Sequence, residues 1–197
     1  MTLKTEVTRD DILPMDDYGK MRKQHRADLV NVKRDRRIPC GPFATFYFEN
    51  YETMWSQIHE MLYIERGGEE QIDDELSAYN PLIPKGRELV ATFMIEIEDK
   101  PRRQRELAKL GGIEETFFMK VGDEKVMGES EKDVDRTTAD GKASSVQFVH
   151  FPFTDAQVKA FRDESVDVAV GVGHPEYNHM ATLTPAQRAS LAKDFAD

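Results

Sequence analysis

Apolar positions recur three and four residues apart from Asp16 to Arg36. Tyr18, Met21, His25, Leu29 and Val32 fall on one face, which predicts a long amphipathic helix. His25 lies within that stripe and reads as a packed core histidine rather than a ligand. A short helical turn at Asp10 to Leu13 precedes it and is broken by Pro14. "IPCGP" at 38–42 punctuates the chain, and "FATFYFEN" at 43–50 has the aromatic content of a strand. Asn50 then suits a helix cap, because its side chain can accept from an otherwise unpaired first-turn N–H. The helix expected from Glu52 to Arg66 turns Trp55, Ile58 and Leu62 inward, with Met54 and Met61 beside them, and Gly67-Gly68 ends it. An acidic helix follows from Glu69 to Ala78. Pro81 biases Asn80 away from helical geometry, so "NPLIP" runs extended.

The pattern shifts to a two-residue period after residue 88. Strands are expected at 89–97, 116–121, 125–130, 145–152 and 166–172, with a hairpin turn at Gly122-Asp123 and a polar loop at 137–145. Pro101 opens a basic helix that Gly111-Gly112 stops. "TDAQ" at 154–157 and "TPAQ" at 184–187 are capping boxes, so two more helices flank the strand "VDVAVGV". The expected architecture is a single α+β domain over residues 1–197. A helical lobe with one strand spans 1–87. A mostly antiparallel sheet of about five or six strands, with helices on one face, spans 88–197.

Charge changes the picture in one place. The chain carries −10 overall, which argues against general affinity for nucleic acid or anionic membranes. Yet residues 20–37 hold eight Lys or Arg against Asp28 and Asp35, an excess of six, leaving −16 on the remainder. This segment is either a solvated helix face that pairs with the protein's own acids or a contact surface. Lys33, Arg34, Arg36 and Arg37 are the candidate residues for a partner surface. An acidic protein is the expected target, since duplex nucleic acid meets the surrounding negative charge. Cys40 is the only cysteine, which excludes internal disulfides and multi-cysteine metal sites within one chain. The first residues lack the apolar core of a signal peptide, and no apolar run approaches the length of about 18 residues that crosses a membrane. A cytoplasmic protein is expected.

The reactive motifs are incomplete. His59-Glu60 invites a zinc-hydrolase reading, but that site needs histidine at position 63, which is Tyr63. A carboxylate di-iron helix needs Glu at position 56, which is Ser56. The acidic run from Glu65 to Glu75 lacks the ligand alternation of a calcium loop. "GVGHPE" has Glu176 where a dinucleotide loop needs glycine. Cys40 beside Arg36 and Arg37 reads as a reactive thiol or, more simply, as a small buried residue. His59, His150 and His174 are the remaining metal candidates if the fold brings them together. No cofactor is expected.

The stretch "FENYETMWSQIHEMLYIER…DELSAYNPLIP…LVATFMIEIED" resembles a bacterial family of unknown function. It matches that family's pattern at Glu49, Asn50, Gln57, Glu60, Met61, Glu65, Arg66, Glu75, Tyr79, Asn80, Pro81, Leu82 and Pro84. The resemblance extends from about Thr8 to His174. Members look to be encoded beside a rubrerythrin-like protein and an iron–sulfur-cluster oxidoreductase subunit. The resemblance thus implies an accessory role with a redox or oxidative-stress partner, and carries no catalytic residue with it. On this pattern Gln57, Glu60, Tyr79 and Asn80 line a polar cleft between the lobes, or else Glu60, Glu65 and Arg66 make hydrogen bonds and ion pairs that fix the helix pair, with Asn80 closing the turn. Three functional readings stand side by side. One is a cytosolic accessory protein that binds a redox partner. Another is a metal- or haem-binding enzyme with a histidine and carboxylate site between the lobes. The last is a nucleic-acid or nucleotide-binding regulator using Lys33, Arg34, Arg36 and Arg37.

Overall fold

The computed structural model describes residues 3–130, 137–138 and 141–196. Its helices are α1 (Met15–Arg34), α2 (Tyr51–Glu65), α3 (Glu69–Tyr79), α4 (Lys100–Leu107), α5 (Asp155–Arg162) and α6 (Pro185–Leu191). Its strands are β1 (Arg37–Pro39), β2 (Ala44–Glu49), β3 (Glu88–Ile95), β4 (Phe117–Val121), β5 (Glu124–Met127), β6 (Glu129–Ser130), β7 (Val146–Pro152), β8 (Val168–His174) and β9 (Tyr177–Thr182). They form two antiparallel sheets, β1-β2-β3-β7-β6 and β5-β4-β8-β9. The α+β class expected from the pattern is the one observed. The single sheet of five or six strands is instead two sheets face to face, and β1 and β2 from the first half belong to the larger one.

Alternation explains the packing. Ala44, Phe46 and Phe48 of β2, Leu89, Ala91, Phe93 and Ile95 of β3, and Val149 and Phe151 of β7 point toward the smaller sheet. That sheet answers with Phe117, Met119 and Val121 of β4 and Val168, Val170 and Val172 of β8. Phe117 reaches across, its ring 4.8 Å from Phe93 and 5.8 Å from Phe46. The opposite face of the larger sheet presents Val90 and Phe148 to a second cluster built by Val7, Met54, Ile58, Leu62, Leu82 and Ile83. The helical lobe therefore sits on the back of that sheet.

Local signals hold where their partners are close. Asn50 accepts from Thr53 N–H at 2.9 Å, and Thr154 and Thr184 cap α5 and α6 through Gln157 and Gln187. Gly122 takes φ +60° in the β4–β5 turn. Four expectations change. Asn80 keeps helical angles, and Asn80–Leu82 form a 3-10 turn where an extended run was expected. The strand read at 125–130 divides at Gly128, where the chain passes from one sheet to the other. A Cβ there would meet the Phe117 Cβ at 3.0 Å and the Phe151 ring at 3.2 Å, so only glycine allows the crossing. Helix α2 ends on Arg66 in the left-handed region at φ +56°, one residue before the glycines expected to end it. Strand β9 went unread because Tyr177 is its only buried residue. Of the polar loop expected at 137–145, residues 139 and 140 lie outside the described set.

The last residues are tied to the first half of the chain. Arg36 is 2 % exposed, and its guanidinium donates to Phe48 O at 2.9 Å, Glu49 O at 2.9 Å and Ser190 O at 3.4 Å, and pairs with Asp194. Burial pushes the Asp194 carboxyl upward against the pull of that guanidinium. Asp194→Ala strands a buried guanidinium and costs about 3–5 kcal/mol in urea unfolding, while the double change Arg36→Met, Asp194→Leu recovers most of that loss. Equal stability for Asp194→Ala and wild type overturns the assignment.

Candidate functional site

The helical lobe is organised by aromatic contacts that the heptad-like spacing of α1 and α2 makes possible. Tyr18 from α1 lies among Trp55, His59 and Tyr63 of α2, with ring centroids 6.0, 5.0 and 5.9 Å away. Gly19 makes this close approach possible, since a Cβ on it would already touch the Tyr63 ring at 3.0 Å. His59 is fully buried and both nitrogens are occupied. Nδ1 donates to Trp55 O at 2.8 Å, and Nε2 accepts from Leu13 N–H at 3.0 Å. Burial lowers its pKa, so the imidazole is neutral at pH 7. It serves as a fastener between α2 and the segment that precedes α1.

The other candidate ligands are equally committed and lie apart. His150, on the lobe-facing side of β7, bonds Glu88 Oε2 through Nδ1 at 2.8 Å. His174 closes β8 in the other sheet. Its Nε2 donates to Gly111 O at 3.2 Å, and its Nδ1 accepts from Glu176 N–H at 3.2 Å. Among the described residues no three His, Cys, Asp or Glu side chains gather as a metal site would require. Cys40 is wholly buried, its thiol 3.4 Å from His179 O and pushed up to about 11 by desolvation. The bland reading of Cys40 is the right one.

Gln57, Glu60, Tyr79 and Asn80 do not form one cleft. Gln57 and Tyr79 meet at 3.4 Å. Glu60 turns the other way, accepting from Arg22 at 2.8 and 2.7 Å and from Tyr18 OH at 2.7 Å. Asn80 grips the N-terminal arm, bonding Val7 O at 2.9 Å and Val7 N at 2.7 Å. Glu65 does join α2 to α3, accepting from Gln71 at 2.9 Å. Glu60, however, ties α2 to α1, Asn80 holds the N-terminal arm, and the Arg66 side chain makes no ion pair with a described residue. The structural alternative drawn from the sequence therefore holds only in part. The four basic residues also part company. Arg36 is interior, so it is withdrawn from the surface. Arg34 contacts Asp35 at 3.3 Å, Arg37 lies over the Tyr47 ring at 5.3 Å, and Lys33 borders a small cavity with Tyr47, Glu49 and Met94.

A larger cavity lies elsewhere in the lobe. A half-open cleft of about 860 Å³ lies between the start of α1 and the α2–α3 junction. Ile12, Leu13, Met15, Leu62, Tyr63 and Ile72 form its apolar walls, and its charged residues are Arg9, Lys20 and Arg66 with the acids Asp16 and Glu69. The pattern passed over these positions because Pro14 interrupts the first wall and the second wall is made by helix ends.

A protein-family model described as "Protein of unknown function (DUF3501)" matches residues 6–195. The chain belongs to the DUF3501 family. A crystal structure of a protein of unknown function from Burkholderia pseudomallei K96243 superposes on this DUF3501 chain with a TM-score of 0.88. The two are 37% identical over 96% of this chain and 99% of that one. No protein with a curated description matches. The family assignment places the resemblance seen at Glu49 to Pro84 within a match that covers nearly the whole DUF3501 chain.

The Glu60 contacts carry a pH signature. Arg22, with Tyr18, holds the Glu60 carboxyl at about 2, below its ordinary 4.5. A depressed carboxylate adds stability above the ordinary value and loses it as pH falls toward about 2. Glu60→Gln is expected to cost about 1–2 kcal/mol at pH 7. The gap from wild type closes between pH 4.5 and about 2 in urea titrations followed by Trp55 fluorescence. A gap constant across that window removes Glu60 from the α1–α2 interface.

Proposed function

We propose that this DUF3501 chain is a cytosolic accessory protein without a catalytic centre of its own, which docks an acidic redox partner protein through the basic end of α1. The observation that carries this reading is the commitment of the reactive side chains. His59 and His174 spend both ring nitrogens on the fold, His150 is paired with Glu88, and the Cys40 thiol is buried. A metal- or haem-binding enzyme between the lobes loses its donors on the same grounds. Lys23, Arg26, Lys33, Arg34 and Arg37, by contrast, keep their charge at or near the surface. Tyr18 and Leu29 hold the opposite face of the same helix against the protein. A rubrerythrin-like or iron–sulfur protein is the partner that the family resemblance suggests. No described helix is long and apolar enough to cross a membrane.

Opposite charges facing each other across a rim act mainly on the association rate, and salt beyond a Debye length of about 8 Å screens them. The test uses surface plasmon resonance with the rubrerythrin-like protein and the iron–sulfur subunit of the same host. The variant is Lys33→Glu, Arg34→Glu, Arg37→Glu, with Arg36 left in place. The expected result is at least a tenfold slower association at low salt and a flattened salt dependence. Wild-type rates for the folded variant, or no binding by wild type, refute the proposal.

A further inference from the structure

The cleft beside Pro14 has chemistry that the docking reading does not use. We propose that it is a binding site for a small amphipathic acid: one apolar body and one anionic group, the anion held by Arg66. At about 860 Å³ the cleft falls within the range of small-molecule sites, roughly 300–1,000 Å³. Its walls are aliphatic and aromatic, with Leu62 buried and Ile12, Leu13, Met15, Tyr63 and Ile72 half-covered. Such a surface left wet favours an apolar ligand over a polar one.

The rim selects the charge. Arg9 is engaged by Asp73 at 2.8 Å and by Glu69 at 3.3 Å, and Lys20 by Asp17 at 2.6 Å. Asp16 sits in the first turn of α1, where the helix dipole favours a negative charge. Arg66 differs from all of these. Its side chain makes no hydrogen bond or ion pair with any described residue, and it stands exposed at the mouth of the cleft. Its backbone is the only non-glycine in the described residues with positive φ, +56°, at a helix end where glycine is the unstrained choice. Glycine is the very next residue, so the chain places arginine in the costly position and leaves its guanidinium unpaired. Residues held in sparsely populated backbone regions cluster at binding sites. A planar guanidinium suits a carboxylate or sulfonate, which it can meet with two parallel bonds.

The remaining wall is fixed from behind. His59 Nε2 holds Leu13 N–H, and the Trp55 indole donates to Asp11 O at 2.9 Å, so the Ile12–Met15 segment is positioned without a ligand. That contact also puts the chain's one tryptophan beside the cleft, where it can report occupancy.

The probe is 1-anilinonaphthalene-8-sulfonate, an aromatic body with a single sulfonate, added to the full chain. The expected result is one bound probe per chain, with Trp55 emission transferred to it. Decanoate should displace it, and decyltrimethylammonium, with the same tail and the opposite charge, should not. Arg66→Gly relieves the backbone strain, so its Tm should not fall below that of wild type while probe affinity drops at least tenfold. Arg66→Asn, whose side chain also tolerates positive φ, serves as the second variant and should lose affinity equally. Ile72→Glu should abolish energy transfer. Undiminished probe binding in folded Arg66→Gly or Arg66→Asn, displacement by the ammonium amphiphile as readily as by decanoate, or no binding by wild type each overturns the proposal.

Discussion

One face of the larger sheet is buried against the smaller sheet, and much of the architecture follows from that constraint. Backbone groups in its central strands cannot reach water, so they must be paired within the ladder, which β3 achieves between β2 and β7. Each central strand then needs apolar residues on the core face, while its other face is covered only in part, with Tyr47, Glu49, Thr92 and Met94 half-exposed. Leu89, Ala91 and Phe93 serve the inter-sheet core while Val90 on the same strand serves the lobe. The two cores meet only through this sheet. A helical lobe on one side and a smaller sheet on the other are thereby held by the same six to eight residues per strand.

Polar residues in the lobe accept the consequences of that burial. Glu60 binds Arg22 and Tyr18, Asn80 binds both backbone groups of Val7, and His59 binds Leu13 and Trp55. Each would cost free energy if left alone in a low-dielectric setting, and each instead joins two segments far apart in sequence. The lobe thus gains definite geometry without a large core of its own. The cleft, in turn, is shaped by a segment pinned from behind while its front face is left open.

How much of this the amino-acid sequence disclosed depends on the distance between cause and effect. Asn50, Thr154 and Thr184 act within one helical turn, and their caps were legible directly. The alternation of β3 and β7 was legible too, because each residue's burial shows in its own hydrophobicity. Strand β9 hid because it lies at a sheet edge and buries one residue. Gly128 hid because its reason is the nearness of Phe117 and Phe151 in space. Arg36 looked like its basic neighbours because its partner, Asp194, lies 158 positions away. The cleft was invisible for a similar reason: it arises where a proline-broken turn meets the ends of two helices, and no single period runs through it.

That separation between Arg36 and Asp194 has a consequence for biosynthesis. Chains emerge from the ribosome N-terminus first, and β1 and β2 can pair locally long before the final residues are made. Throughout that interval the guanidinium of Arg36 has no carboxylate to face and cannot be sealed beneath Ser190 and Asp194. The Arg36 site therefore closes only after Asp194 has been made. A chain cut before Asp194 leaves the buried Arg36 guanidinium without its carboxylate.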